Sequence, residues 1–116
     1  MTSVEFLRAG ERFIGFKAKG HTGFAPAGRD IVCAGVSTLV QTAVLGLQEL
    51  VGLDPQIQQQ QKQGVLNCRI PAVVDPKKLE QSDLILKLMY LGLKQIAQEY
   101  QKFVQVSVKE VQKDEI

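Results

Sequence analysis

The single histidine of this chain, His21, stands twelve residues before Cys33, one of only two cysteines. A thiol nucleophile needs a base within reach, a connection that can bring the base to it, and surroundings that favour the thiolate. The segment from Gly20 to Cys33 carries the parts for each. His21 is the base, and Gly20, Gly23, Gly28 and Pro26 break up regular structure between the two residues. Cys33 falls in the first turn of a long predicted helix, where backbone N–H groups without helical partners and the helix dipole favour an anion. The chemistry this would support is acyl transfer, in which histidine takes the thiol proton and returns it to a leaving amine.

Residues three, four and seven apart share one face of a helix, so Asp30, Cys33 and Ser37 form a polar stripe that Gln41 continues. Asp30 is also a cap candidate. Its charge opposes a thiolate unless it turns toward His21 or the backbone. The same residues have a plainer reading, since a cysteine on an apolar helix is commonly inert packing and a lone histidine is commonly at the surface. Cys68 alternates with Leu66 and Ile70 along a strand face and reads as buried packing.

The elements that must position these residues follow from periodicity. Val4 to Arg8 and Arg12 to Lys19 read as strands joined at Ala9-Gly10-Glu11. In the second, Ile14, Phe16 and Ala18 alternate with Gly15, Lys17 and Lys19. Gly20 to Gly28 is a loop. Asp30 to Leu50 is a helix whose wide apolar surface, including Ile31, Val36, Val40, Leu47 and Leu50, implies cover on more than one side, with Gly52 as its stop. Gln56 to Lys62 and Val65 to Ile70 read as a hairpin turning near Gln63-Gly64, and Gln58 to Gln61 reads as a solvated edge strand. Asp75-Pro76 starts a second helix running to about Tyr100, with Leu84, Leu88, Leu91 and Ile96 among its buried residues. Phe103 to Val111 closes the chain as a strand. The expected fold is a single α+β domain over residues 1–116, in ββαββαβ order, with a mainly antiparallel sheet packed with two helices.

Composition narrows the function classes. The 116 residues suit one domain, 45% of them are apolar, and the net charge of +2 is small and scattered. No clustered basic face suggests direct nucleic-acid binding. One histidine and two separated cysteines lack zinc-ligand spacing, and the loop glycines match neither a dinucleotide fingerprint nor a P-loop, so no metal or cofactor is expected. The run from Ile31 to Leu47, broken by Ser37, Thr38, Gln41 and Thr42, reads as too short and too polar for the ~20 apolar residues of a membrane span. Met1 to Glu5 does not read as a secretory signal, and a cytoplasmic location is expected.

The segments Gly20-His21-Thr22-Gly23-Phe24-Ala25 and Gly28-Arg29-Asp30-Ile31-Val32-Cys33-Ala34-Gly35-Val36-Ser37 resemble the ribosomal-processing cysteine protease Prp family. That family's pattern is G-H-x-G-aromatic-A followed by D-I-V-C-A-small-V-S, and Leu91 to Ala97 looks like its second helix. Thr22 and Pro26 are mild departures that remove no chemical group. The resemblance implies a small cytoplasmic endopeptidase, typically a homodimer, that removes the N-terminal extension of large-subunit ribosomal protein twenty-seven. It implies Cys33 as nucleophile, His21 as general base and acid, and Asp30, Ser37 and Gly20 as supporting positions. Phe24 is a candidate wall of the substrate groove. Two other classes compete with this reading: a non-catalytic module that docks on a ribosomal protein, and a thiol redox sensor centred on Cys33.

Overall fold

A computed structural model describes residues 1–20, 31–60, 62, 64–72 and 75–112. The strands are β1 (Thr2–Ala9), β2 (Arg12–Lys19), β3 (Gln56–Gln60), β4 (Val65–Arg69) and β5 (Val104–Glu110). The helices are α1 (Ile31–Gly46), which widens into a π-helical turn over Leu47–Val51, and α2 (Pro76–Glu99). The α+β architecture and the ββαββαβ order agree with the sequence reading. One sheet runs in the order β3-β4-β2-β1-β5. Its β1–β2, β2–β4 and β3–β4 ladders are antiparallel, while β5 pairs parallel with β1.

Local chemistry sets the element ends. The carboxylate of Asp75 accepts the N–H of Lys78 at 3.0 Å, and Pro76 occupies the start of α2, where a missing donor does no harm. Gly52 ends the π-helical turn in the left-handed conformation, φ 77°. In β2 the strict alternation fails. The β1–β2 register shifts between Leu7 and Arg8, whose partners are Gly15 and Phe13, so Ile14 is the extra residue of a bulge. Phe13 and Phe16 therefore both join the face that carries Phe6, with ring centroids 5.2 and 6.2 Å from it. Tyr90 from α2 meets Phe6 and Phe13 edge-on at 5.3 and 5.4 Å. Such pairs contribute about 0.5–1.5 kcal/mol each beyond the area they bury.

The core lies between this sheet face and the helices. It takes Val4, Phe6 and Phe16 from the sheet, Val36, Val40, Ala43 and Leu47 from the first helical segment, and Leu86, Met89 and Leu93 from α2. Glycines let α1 and α2 approach closely: a Cβ on Gly35 would lie 3.3 Å from Ile96, and one on Gly92 would lie 3.0 Å from Leu39.

Two burial expectations are corrected. Leu84, Leu88 and Leu91 are 71%, 69% and 63% exposed, whereas Ser82, Leu86, Met89 and Leu93 face the core. Both stripes repeat with helical spacing, so period alone does not choose between them. Ile31 and Leu50 are likewise exposed, so α1 is not covered all round. The membrane reading also changes. Ile31–Val51 has 21 residues and a mean hydropathy of 1.6, enough by length and composition to cross a membrane. Its Val36, Val40, Ala43, Leu47 and Val51 are built into the domain core, while Ile31, Leu45 and Leu50 are exposed.

Candidate active site

Cys33 is the third residue of α1 and half-buried. The polar stripe expected from the sequence is present in its described part. Cys33, Ser37 and Gln41 all line one side of a cavity of about 650 Å3. Across from them the sheet contributes Thr2, Ala18, Gly20, Ile57 and Leu66. Exposed Ser37, Gln41, Gln59 and Gln60 form its rim, while buried or half-buried Val36, Val40, Val44 and Leu66 form its floor. From Cys33 to Leu45 the lining follows α1 for about 18 Å at the helical rise. An extended segment of about five residues has that length.

Gly20 stands at the cavity where β2 ends, with φ +90°, and a Cβ there would run into the carbonyl oxygen of Met1. A residue with a side chain does not fit this turn. The next residue, His21, lies outside the described residues, as do Phe24 and Asp30. Of the residues singled out in the sequence, the structure thus brings Gly20, Cys33 and Ser37 to one cavity.

The second thiol has a different setting. Cys68 is 2% exposed in the middle of β4, and burial pushes its thiol up to about 11. It is a neutral core side chain at physiological pH, poorly suited to resolve an oxidised Cys33. Among the described residues no group of three or more His, Cys, Asp or Glu side chains is arranged to hold a metal ion. Thr2 was not singled out in the sequence, because the first strand reads as starting at Val4. The signal that could have found it is alternation: Thr2 precedes Val4 and Phe6 on the inward face of β1.

The family model for cysteine protease Prp matches residues 1–105. The chain belongs to the Prp family. Among curated proteins, the ribosomal processing cysteine protease Prp of Bacillus subtilis is 30% identical over 94 residues, covering 81% of this chain and 84% of that protein. An essential ribosomal processing protease Prp from S. aureus, solved with a covalently linked product peptide, superimposes with a TM-score of 0.82. It is 24% identical, and the match covers 94% of this chain and all (100%) of that one. A Streptococcus mutans protein has the same TM-score at 26% identity, covering 96% of each chain. The Prp chain described here is therefore a cysteine protease of the ribosomal-processing type, and its fold is that of the solved Prp structures.

Proposed function

We propose that this protease uses Cys33 and His21 to remove the N-terminal extension of large-subunit ribosomal protein twenty-seven. The observation that carries the reading is the position of Cys33, in the first turn of α1 at one end of a peptide-sized cavity, in a chain of the Prp family. The covalently linked product peptide in the S. aureus relative supports a cavity that takes peptide.

In this mechanism His21 takes the thiol proton and the Cys33 thiolate attacks the scissile carbonyl carbon. The C–S bond forms and the C–N bond breaks as imidazolium gives its proton to the departing amine. Water then adds to the thioester with its proton passing to His21, and the new carboxylate leaves as the thiol is restored. Backbone N–H groups at the start of α1 hold the oxyanion. Asp30 orients His21 or caps the helix, Ser37 hydrogen-bonds near the thiol, Gly20 sets the turn that leads into His21, and Phe24 borders the substrate.

The same reading places the enzyme in the cytoplasm as a homodimer, without direct nucleic-acid or membrane contact. Exposed Leu84, Leu88 and Leu91 supply an apolar face that favours self-association. Sedimentation of wild type beside Leu88→Glu tests that part. A dimer that survives the charge removes α2 from the interface.

The deciding experiment is mass-spectrometric cleavage of a peptide spanning the extension of that ribosomal protein from the same organism. Wild type is expected to cut once, and Cys33→Ala and His21→Ala not at all. Cleavage retained by Cys33→Ala would sink the mechanism, and binding without cleavage by wild type would sink the assigned substrate bond.

A further inference from the structure

Gly64 stands in the turn that joins β3 to β4 and lines the same cavity as Cys33 and Gly20. Its φ is 63°, in the left-handed region that glycine enters without strain. The β2–β4 ladder runs as far as Lys19 against Val65. One residue further on, the Gly20 N–H donates to the Gly64 carbonyl at 2.9 Å. This bond is a last rung added to the ladder, made between two glycines in the left-handed region.

Gly20 is therefore held from two sides. Its N–H is tied to Gly64, and the Met1 carbonyl oxygen stands where a Cβ would lie. Chain segments beyond a ladder commonly fray, because their backbone groups can take water instead. Here the end is fastened, and the fastened residue directly precedes His21. Consecutive Cα atoms lie about 3.8 Å apart across a trans peptide, so Gly20 sets where residue 21 begins. Misplacing a reacting group by about 1 Å can cost a hundredfold in rate. The anchor ahead of the base thus bears on the chemistry.

Gly10 supplies a contrast within the same fold. Its φ of 64° matches that of Gly64, but its N–H is bonded to the Glu110 carboxylate at 2.9 Å, and it does not line the Cys33 cavity. Alanine meets the same backbone strain at either position. Only at position 64 does relief of that strain move a carbonyl away from Gly20.

We propose that Gly64 is a positioning residue for the base: its left-handed turn holds the carbonyl that anchors Gly20, and through Gly20 it sets where His21 stands relative to Cys33. The proposal rests on the reading of His21 as the base. What position 64 requires is a conformation rather than a side chain. Asparagine, which enters the left-handed region more readily than alanine, should serve better there.

The test reads the alkylation rate of Cys33 by iodoacetamide, located by peptide mapping, beside kcat and KM for peptide cleavage. Gly64→Ala is expected to slow alkylation about tenfold and to lower kcat by about the same factor. Gly10→Ala should show a comparable fall in Tm with wild-type rates, and Gly64→Asn should stay nearer to wild type. Because Gly64 acts through His21, adding Gly64→Ala to His21→Ala should slow alkylation no further. A turn that only stabilised the fold would not show that dependence. Wild-type rates in Gly64→Ala would overturn the proposal, as would equal losses in the alanine and asparagine variants or additive losses in the double variant. If Gly64→Ala does not fold, the Gly20 N–H can be removed by itself. The full chain is then assembled by ligation at Cys33 from a synthetic segment 1–32 that carries an ester in place of the Gly20 amide. That protein should show the same slowing, and wild-type rates in it would overturn the proposal. Alkylation and cleavage unchanged by His21→Ala would overturn the base assignment itself, an outcome read where Gly64 is untouched.

Discussion

Gly20 turns against the carbonyl of Met1 at the end of β2, one residue before the proposed base. Alanine there meets two penalties: the left-handed backbone costs about 1–2 kcal/mol, and its Cβ collides with a main-chain oxygen that cannot swing away. Gly20→Ala should lower Tm and reduce cleavage together. Gly10 is the control, since its φ is +64° but nothing lies within 4 Å of an added Cβ. Gly10→Ala should bear the backbone term alone and leave cleavage per folded molecule unchanged. Equal activity of the two variants would show that the Gly20 turn does not position the site.

The buried thiol of Cys68 makes stability depend on alkaline pH. An unfolded chain releases this proton near the ordinary value of 9.0, whereas the folded chain holds it to about 11. Below pH 9 both states keep the proton and the contribution is intact. Between these values only the unfolded state has released it, so stability falls as pH rises. The loss at the end of the window is about 2–3 kcal/mol. Urea unfolding at pH 8 and pH 10.5 should show a smaller alkaline loss for Cys68→Val than for wild type.

Thiol labelling should separate the two cysteines. Iodoacetamide is expected to modify Cys33 in the folded protein and to reach Cys68 only after unfolding in urea. Peptide mapping of the alkylated sites reads this directly. Equal labelling of both in the folded state would contradict the placement of Cys68 in the core.

Asp83 fastens α2 to the start of β2. One carboxylate oxygen accepts the Phe13 N–H at 2.7 Å and the other accepts from Lys87 at 2.8 Å. Lys87 also donates to the Glu11 carbonyl at 2.9 Å and lies over the Phe13 ring. Asp83→Ala strands the Phe13 N–H and should lose about 1–3 kcal/mol. Asp83→Asn keeps an acceptor and should lose less. Asp83 does not line the cavity, so cleavage per folded molecule should hold for both. Denaturant titration beside the cleavage assay checks each part.

What could be read from the sequence was local. The Asp75-Pro76 start, the Gly52 stop and the exposed glutamine edge of β3 each depend on a few neighbouring residues, and each is found as expected. The Cys33, Ser37 and Gln41 side of the cavity was legible for the same reason, because helical spacing alone aligns it. The opposite wall was not. Thr2, Ile57 and Leu66 meet α1 only through the strand order β3-β4-β2-β1-β5, which no short window contains. Phe13 was missed because a bulge reverses the alternation at Ile14. The leucines of α2 were misassigned because two apolar stripes with one period compete for a single core.

The parallel ladder between β1 and β5 joins the first strand of the sheet to its last. During synthesis β1 is therefore made early and waits, with one flank unpaired, until everything up to Glu110 has emerged. The Phe103 carbonyl that fixes Thr2 arrives in that same final stretch. A nascent copy still tethered short of β5 has its thiol but not the seated strand beside it. The wall of the cavity opposite Cys33 is thus complete only once β5 has been made.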